Sequence, residues 1–183
     1  MKKFICLAAV LTLTACNESS ENTDVSVQNS TNKVQPSAHA STELFIQYKQ
    51  SAQELVTLID QQASNEDLEN SSKALVALSQ PIIQAFKVKF PQCNDYLNAV
   101  SAAADIIPSL PLTEIESGYH ADGKLPAITD VNCYHAKDLL VHPATVQAMA
   151  AIGIENDSQR QQAKDEVVEV IEHFAQVESA YQG

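Results

Sequence analysis

The sequence predicts an all-α protein, in which a four-helix-bundle-like domain with short extra helices and a long loop region follows a disordered tether. Only 4 glycines occur in 183 residues, and the abundant Ala, Leu, Gln and Glu favour helices over strands. Apolar residues recur at intervals of three and four in several segments after residue 41, which is typical of amphipathic helices. Residues 17–40 instead are rich in Asn, Ser, Thr and Gln and show no apolar period, which indicates a flexible tether.

The first two helices follow from their apolar spacing and their ends. The first is expected to start at Ser41 or Thr42 and to run for about 22 residues. The second is expected to start near Asn65 as its N-cap, with acidic residues in its first turn favourable to the helix dipole. Pro81 is expected to kink it. The predicted inward positions are Leu44, Tyr48, Ala52, Leu55 and Ile59 in the first helix and Leu68, Leu75, Leu78, Ile82 and Phe86 in the second.

Two further amphipathic helices complete the predicted bundle. One begins at Pro91, whose fixed φ suits the first helical position, and stops before Pro108. The last follows the capping pair Asn156 and Gln159 and carries an apolar stripe from Ala163 to Val177. Four amphipathic helices predict a four-helix bundle.

The stretch between these last two helices is predicted to be irregular. Thr113 is expected to cap a short helix that ends at Gly118, and residues 119–126 then form a turn and loop around Asp-Gly. Asp130 is expected to cap a second short helix that ends at Leu140. Pro143 fits the first position of a further short helix that closes at Gly153. Long loops in compact domains are often functional.

The N-terminal residues have the pattern expected of an export signal. Lys2 and Lys3 precede about ten mostly apolar residues, too few to span a bilayer. The sequence Leu13-Thr14-Ala15-Cys16 that follows resembles the lipobox of bacterial lipoproteins. The resemblance implies cleavage before Cys16 and attachment of a lipid to its sulfur. The expected organisation is therefore a signal peptide at 1–15, a lipidated tether at 16–40 and a single helical domain at 41–183.

Location and partners follow from the same resemblance and from charge. In such lipoproteins an Asp directly after the cysteine favours the inner membrane, and the residue here is Asn17, so we expect an outer-membrane anchor facing the periplasm. The mature chain has nine basic against 23 acidic residues, a formal charge of −14, which excludes nucleic acid as an expected partner. The expected partners are the membrane, through the lipid, and an envelope protein.

Cys93 and Cys133 are the remaining cysteines of the mature chain. In an oxidising envelope compartment the simplest interpretation is a disulfide between them. Two buried free thiols or two thiolate metal ligands are the alternatives, although C-x-x-C spacing is absent. A bond across 40 residues would stabilise the fold by about 4 kcal/mol in the chain-entropy treatment.

A metal site is the sharpest chemical hypothesis. His135, Asp138 and His142 fall within about 60° of one another on a helix, and His120, with Asp122 or Glu116, can complete a zinc or copper site from the preceding loop. Pro143 directly follows His142 and is expected to push it out of helical geometry. The alternative is that these are ordinary histidines bonded to backbone carbonyls. His173, at the edge of an apolar stripe, is interpreted as a boundary residue.

The tripeptide Gly118-Tyr119-His120 resembles the opening of the G-x-H-x-x-E motif of imelysin-like envelope proteins, which are helical. The match covers three residues, and Gly123 stands at the position of the motif's glutamate. None of the ligands of that family is carried over to this chain.

No catalytic signature appears: the chain has neither G-x-S-x-G nor H-E-x-x-H. The sequence therefore predicts a non-enzymatic binding or protein-interaction module without a cofactor. Its expected contact surface comprises Tyr119, His120 and Tyr134, because aromatic and histidine side chains suit interfaces. The alternative function is periplasmic binding of zinc or copper.

Overall fold

The structure is a computed structural model that describes residues 38–128 and 130–183, with side chains from Thr42 onward. The all-α prediction is confirmed. Cys16, the predicted signal peptide and nearly all of the predicted tether lie outside the described residues, as does the side chain of His39. The helices are α1 (Ala38–Asp60), α2 (Asn65–Lys89), α3 (Asn94–Ala103), α4 (Leu112–Ile115), α5 (Val131–Ile152) and α6 (Asp157–Gln182).

Four long helices form the bundle, but they are not the four that the sequence pattern indicated. Helix α1 packs against α2 and α6, and α5 packs against the same two helices. The segment that begins at Pro91 instead forms a short 3-10 turn, the ten-residue α3 and a second 3-10 turn at Ile107–Ser109. Helix α5 therefore takes the fourth place in the bundle. Within the described part of the chain, no helix has the length and apolar character needed to cross a membrane.

Helix α5 is buried around most of its circumference. Fifteen of its 22 residues are buried, because α3, α4 and the turn at Ile107–Ser109 pack on it in addition to α2 and α6. A helix that is covered on most sides has no polar face and so shows no amphipathic stripe. This explains why apolar spacing did not identify α5 as a bundle helix.

Helix α5 also runs through Pro143 without ending. The two short helices predicted through Leu140 and from Pro143 are one helix, and the expectation that Pro143 displaces His142 from helical geometry is wrong. Proline removes the N–H that would bond to the carbonyl four residues earlier, here that of Leu139. The hydroxyl of Tyr48 donates to that carbonyl at 2.6 Å, so the bond lost in α5 is replaced by one from α1.

The other proline within a long helix, Pro81 in α2, is accommodated differently. Pro81 and Ala77, whose carbonyl has no helical donor as a result, both lie on the exposed face. Solvent can satisfy that carbonyl.

Side-chain caps fix the N-termini of α2, α5 and α6. Asn156 Oδ1 accepts from the N–H of Gln159 at 3.0 Å, and Asp130 Oδ1 accepts from that of Asn132 at 2.8 Å, as predicted. Helix α2 is capped by Ser64, whose Oγ accepts from the N–H of Asp67 at 3.1 Å, rather than by Asn65. Thr113 is not a cap, since α4 already begins at Leu112.

The predicted disulfide is present. Cys93 and Cys133 are bonded, with their Cα atoms 5.3 Å apart, and both are fully buried. The bond ties the turn before α3 to the first turn of α5. The alternatives of free thiols and thiolate metal ligands are thereby excluded.

Replacing Tyr48 by Phe should lower the free energy of unfolding by about 1–3 kcal/mol, because it leaves the buried Leu139 carbonyl without a donor. In a Pro143→Ala background, residue 143 regains an N–H for the same carbonyl, and the cost of Tyr48→Phe should fall below about 1 kcal/mol. Urea denaturation of the four proteins in this cycle measures both costs. Equal costs in the two backgrounds would show that the hydroxyl does not replace the missing bond.

Candidate metal centre

Four histidines converge inside the domain, and we call them the histidine cluster: His120, His135, His142 and His173. His135 and His142 lie on α5, His173 lies on α6, and His120 ends a π-helical turn, Glu116–His120, that follows α4. Neighbouring ring centroids are 4.7 Å apart for His120 and His142, 5.6 Å for His142 and His173, and 5.1 Å for His135 and His173. Histidines from three elements thus form one group.

Two acid-and-histidine pairs face each other across α5 and α6. Asp138 and His142 are four residues apart on α5, and Glu169 and His173 are four residues apart on α6, so each pair shares a helix face. Nε2 of His142 lies 3.7 Å from Oδ1 of Asp138 and 3.7 Å from Oε2 of Glu169. Nε2 of His173 lies 3.4 Å from Oδ2 of Asp138. We call Asp138, His142, Glu169 and His173 the inner site.

These separations suit a bound transition-metal ion. Bonds of 2.0–2.1 Å in a tetrahedral zinc site place adjacent ligand atoms about 3.3–3.4 Å apart. One ligand atom each from Asp138, His142 and His173 all lie within 4.8 Å of one another. The contacts of Asp138 with the two imidazoles, at 3.7 and 3.4 Å, are within about 0.4 Å of that separation. The remaining pair of ligand atoms lies within 4.8 Å and would have to approach by at most about 1.5 Å.

Outer hydrogen bonds orient the two imidazoles. Nδ1 of His142 lies 2.6 Å from Oε2 of Glu166, and with Glu166 ionised the proton of this bond sits on Nδ1. The lone pair is then on Nε2, the nitrogen that faces the inner site. Nδ1 of His173 is similarly paired with Nδ1 of His135 at 2.9 Å. A ligating histidine whose second nitrogen is held by a carboxylate or another polar group is the usual pattern around protein-bound metals.

Asp138 is the electrostatic centre of the arrangement. Its side chain is 1% exposed, and neither of its oxygens has a hydrogen-bond donor among the described residues. Nζ of Lys137 is 3.3 Å from Oδ1. The hydrogen bonds that Nζ of Lys137 donates, however, go to the carbonyls of Tyr119 and His120 and to Asp122. A buried carboxylate is costly unless a cation or donors compensate it, so Asp138 favours a further cation beside it.

Burial also shifts the pKa values of the acids and histidines in this region. Burial raises the pKa of Asp138 to about 7, although Lys137 opposes the shift, and burial raises the pKa of Glu166 to about 7. Burial lowers the pKa of His142 and of His173 to about 4. Burial also lowers the pKa of His120 and of His135. The imidazoles are therefore neutral near pH 7, the form that binds metal ions.

Backbone geometry positions His120. Gly123 packs so closely on the π-helical turn that an added Cβ would clash with the carbonyl oxygen of Ser117. At the end of the turn, the carbonyl of His120 accepts from Lys137 at 3.1 Å. Nε2 of His120 is then 2.9 Å from the hydroxyl of Thr145 and 3.7 Å from Oε2 of Glu166. This places His120 on the opposite side of the His142 ring from Asp138.

The structure brings together only part of the predicted metal set. Asp138 and His142 meet in the inner site, His135 reaches it through His173, and His120 lies beyond His142. Sequence reasoning missed Glu169 and His173, because the last helix was interpreted only by its apolar stripe. The available signal was the repeated spacing of an acid four residues before a histidine, found at Asp138 and again at Glu169.

The other predicted residues have structural roles. Asp122 accepts from the hydroxyl of Tyr96 at 2.7 Å and from Lys137 at 3.2 Å. The expected contact surface is wrong for Tyr119, which is only 7% exposed. Tyr134 is partly buried, with Nζ of Lys137 4.2 Å from its ring centroid.

Comparison of this chain with protein-family models, with curated proteins and with solved structures finds no match.

Replacing Asp138 by Asn should stabilise the metal-free protein at pH 8. The pKa of Asp138 is raised from 3.8 to about 7 by burial. A raised carboxyl pKa costs stability as pH rises through that interval, because only the unfolded state gives up the proton easily. The gain should be about 2–4 kcal/mol at pH 8 and should vanish near pH 4.

Urea denaturation in EDTA at both pH values measures this gain, with Asp105→Asn as the control at an exposed aspartate. The control should change little at either pH. A loss of stability in Asp138→Asn at pH 8 would contradict the assignment of a buried carboxylate that Lys137 compensates only in part.

Proposed function

We propose that this protein is a lipid-anchored envelope protein whose helical domain binds a divalent transition-metal ion at the inner site. The ligands are a carboxylate oxygen of Asp138 and Nε2 of His142 and of His173, with Glu169 or a solvent molecule completing the set. One observation carries the proposal: the carboxylate of Asp138 is buried opposite two imidazole Nε2 atoms, 3.7 and 3.4 Å away, and Lys137, 3.3 Å from Oδ1, compensates its charge only in part.

The ligand types favour zinc or copper(II). Imidazole with carboxylate suits both ions, whereas sites made only of oxygen suit magnesium or calcium. The side chain of Glu169 is 58% exposed while those of Asp138 and His142 are 1% and 4% exposed. Glu169 therefore gives an ion a first contact at the surface before it reaches the buried ligands. With Glu169 as the fourth ligand the set is closed, which fits a site that holds or carries metal.

The proposed location rests on the sequence. The lipobox-like Leu13-Thr14-Ala15-Cys16 supports export and acylation at Cys16, and Asn17 supports the outer membrane facing the periplasm. The disulfide between Cys93 and Cys133 agrees with an oxidising compartment. A protein-interaction role is less well supported, because Tyr119 of the expected contact surface is buried.

Metal binding can be measured by isothermal titration calorimetry of zinc into the full chain, purified in detergent and stripped with EDTA. The expected dissociation constant is below about 1 μM. Asp138→Asn and His173→Ala each remove a ligand and should weaken binding by more than 100-fold, while Glu166→Gln removes an outer partner and should cost about 10–100-fold.

His39→Ala is the matched control, since His39 lies in the first turn of α1 and is not a member of the histidine cluster. It should bind zinc as the unaltered chain does. The proposed function is wrong if neither zinc nor copper binds more tightly than about 100 μM, or if His39→Ala weakens binding as much as His173→Ala does.

The lipid anchor can be tested with the two N-terminal cysteines. Cells given radiolabelled palmitate should label the unaltered protein and Cys6→Ser equally, because Cys6 lies in the part that is removed. Cys16→Ser should remain unlabelled and unprocessed. Labelling of Cys16→Ser, or an unlabelled native protein in the cytosol, would refute the proposed anchor.

A further inference from the structure

His142 presents its two ring nitrogens to two different sets of ligands. Its Nε2 faces Asp138 and Glu169, each at 3.7 Å, while its Nδ1 faces Glu166 at 2.6 Å. The side chain is only 4% exposed, so protein groups rather than bulk solvent surround both nitrogens. A single imidazole with ligand groups on both sides is able to bridge two metal ions.

The Nδ1 side holds a second ligand set, which we call the outer site: His120, His142 and Glu166. One ligand atom from each lies within 4.8 Å of the others. Nε2 of His120 is 3.7 Å from Oε2 of Glu166, close to the separation of about 3.3–3.4 Å expected for neighbouring ligands on zinc. The 2.6 Å contact between His142 and Glu166 is a hydrogen bond, and it must lengthen by less than 1 Å for both atoms to bind one ion.

Other groups hold the outer site in place. Lys137, fully buried, donates to the carbonyl of His120 at 3.1 Å and so fixes the backbone that carries this histidine. The hydroxyl of Thr145 contacts Nε2 of His120 at 2.9 Å and also donates to the carbonyl of Val141 at 2.9 Å. Because the hydroxyl donates to Val141, it accepts from Nε2–H of His120. An ion can bind Nε2 once the His120 proton moves to Nδ1, and the hydroxyl then keeps its bond to Val141.

We propose that the protein binds a second divalent metal ion at the outer site, and that the His142 ring bridges the two ions as an imidazolate. The inference rests on the proposed function, since it extends the inner site. The second ion replaces the proton on Nδ1 of His142, and that proton passes to solvent. Nδ1 then bonds to the ion, Glu166 changes from hydrogen-bond acceptor to ligand, and no electron is transferred.

The charges of the complete centre balance. Two divalent ions bring four positive charges, and the imidazolate with the carboxylates of Asp138, Glu166 and Glu169 brings four negative ones. The charge of Lys137, 3.3 Å from Asp138, is offset by Asp122 at 3.2 Å. A neutral centre can be buried at far lower cost than one with excess charge. The protein groups around His142 therefore match a pair of ions in charge as well as in position.

Copper(II) is the probe for this proposal, because an imidazolate bridge couples two copper spins antiferromagnetically. The EDTA-stripped full chain in detergent is loaded with one and then two equivalents of copper, and bound metal is counted after dialysis. We expect two ions per chain. The electron paramagnetic resonance signal should rise with the first equivalent and fall with the second.

Variants separate the two sites. His120→Gln and Glu166→Gln should each retain one ion with an uncoupled signal, whereas His39→Ala should retain two coupled ions. Circular dichroism confirms that each variant folds, and His120→Gln keeps a polar group beside Thr145.

The outcomes distinguish the second site from the first. If the unaltered chain binds one ion, which His173→Ala abolishes and His120→Gln leaves unchanged, the second site is wrong and the proposed function stands. Two ions with uncoupled signals would overturn the bridge. If no ion binds, both proposals fail.

Discussion

The burial of α5 is the constraint on which the rest of the structure depends. This helix is packed by α2 and α6 and also by α3 and α4, so polar side chains on it must find partners inside the protein. It nevertheless carries Lys137, Asp138 and His142, all of them buried. The elements around α5 therefore supply the carbonyls, carboxylates and imidazoles that these side chains require, and the candidate metal centre is the result.

Lys137 connects the irregular region to the bundle. Its ammonium group, 0% exposed, donates to two carbonyls at the end of the π-helical turn and to Asp122. The disulfide joins the turn that precedes α3 to the first turn of α5. With its hydrogen-bond donors directed to these groups, Lys137 only partly compensates Asp138, and the remaining negative charge faces His142 and His173.

The periodicity of apolar residues was sufficient to predict the helices that have one face exposed to solvent. The apolar spacings of α1, α2 and α6 predicted their inward positions, and Tyr48, Leu55, Leu75, Val167 and Phe174 are all buried. Periodicity was insufficient for α5, because a helix covered on most sides has no polar face to alternate with its apolar one. Pro143 added to the error, since nothing local showed that Tyr48, 95 residues earlier, would donate to the carbonyl that the proline leaves free.

The sequence likewise predicted only some of the residues of the candidate metal centre. Helical spacing correctly placed Asp138 and His142 on one face, and the pairing of Cys93 with Cys133 followed from their number and from the expected oxidising compartment. Glu166, Glu169 and His173 belong to the site only because α6 lies beside α5. The packing of α6 on α5 is tertiary structure, and the spacing of charged residues along α6 alone does not predict it.

The central claim is that Asp138, His142 and His173 hold a metal ion between α5 and α6. Crystals of the protein grown with zinc, with diffraction data collected on both sides of the zinc absorption edge, test it most directly. The account predicts an anomalous peak about 2.0–2.2 Å from a carboxylate oxygen of Asp138 and from Nε2 of both histidines. An anomalous map with no peak at that position, from crystals whose other zinc sites are visible, would contradict it.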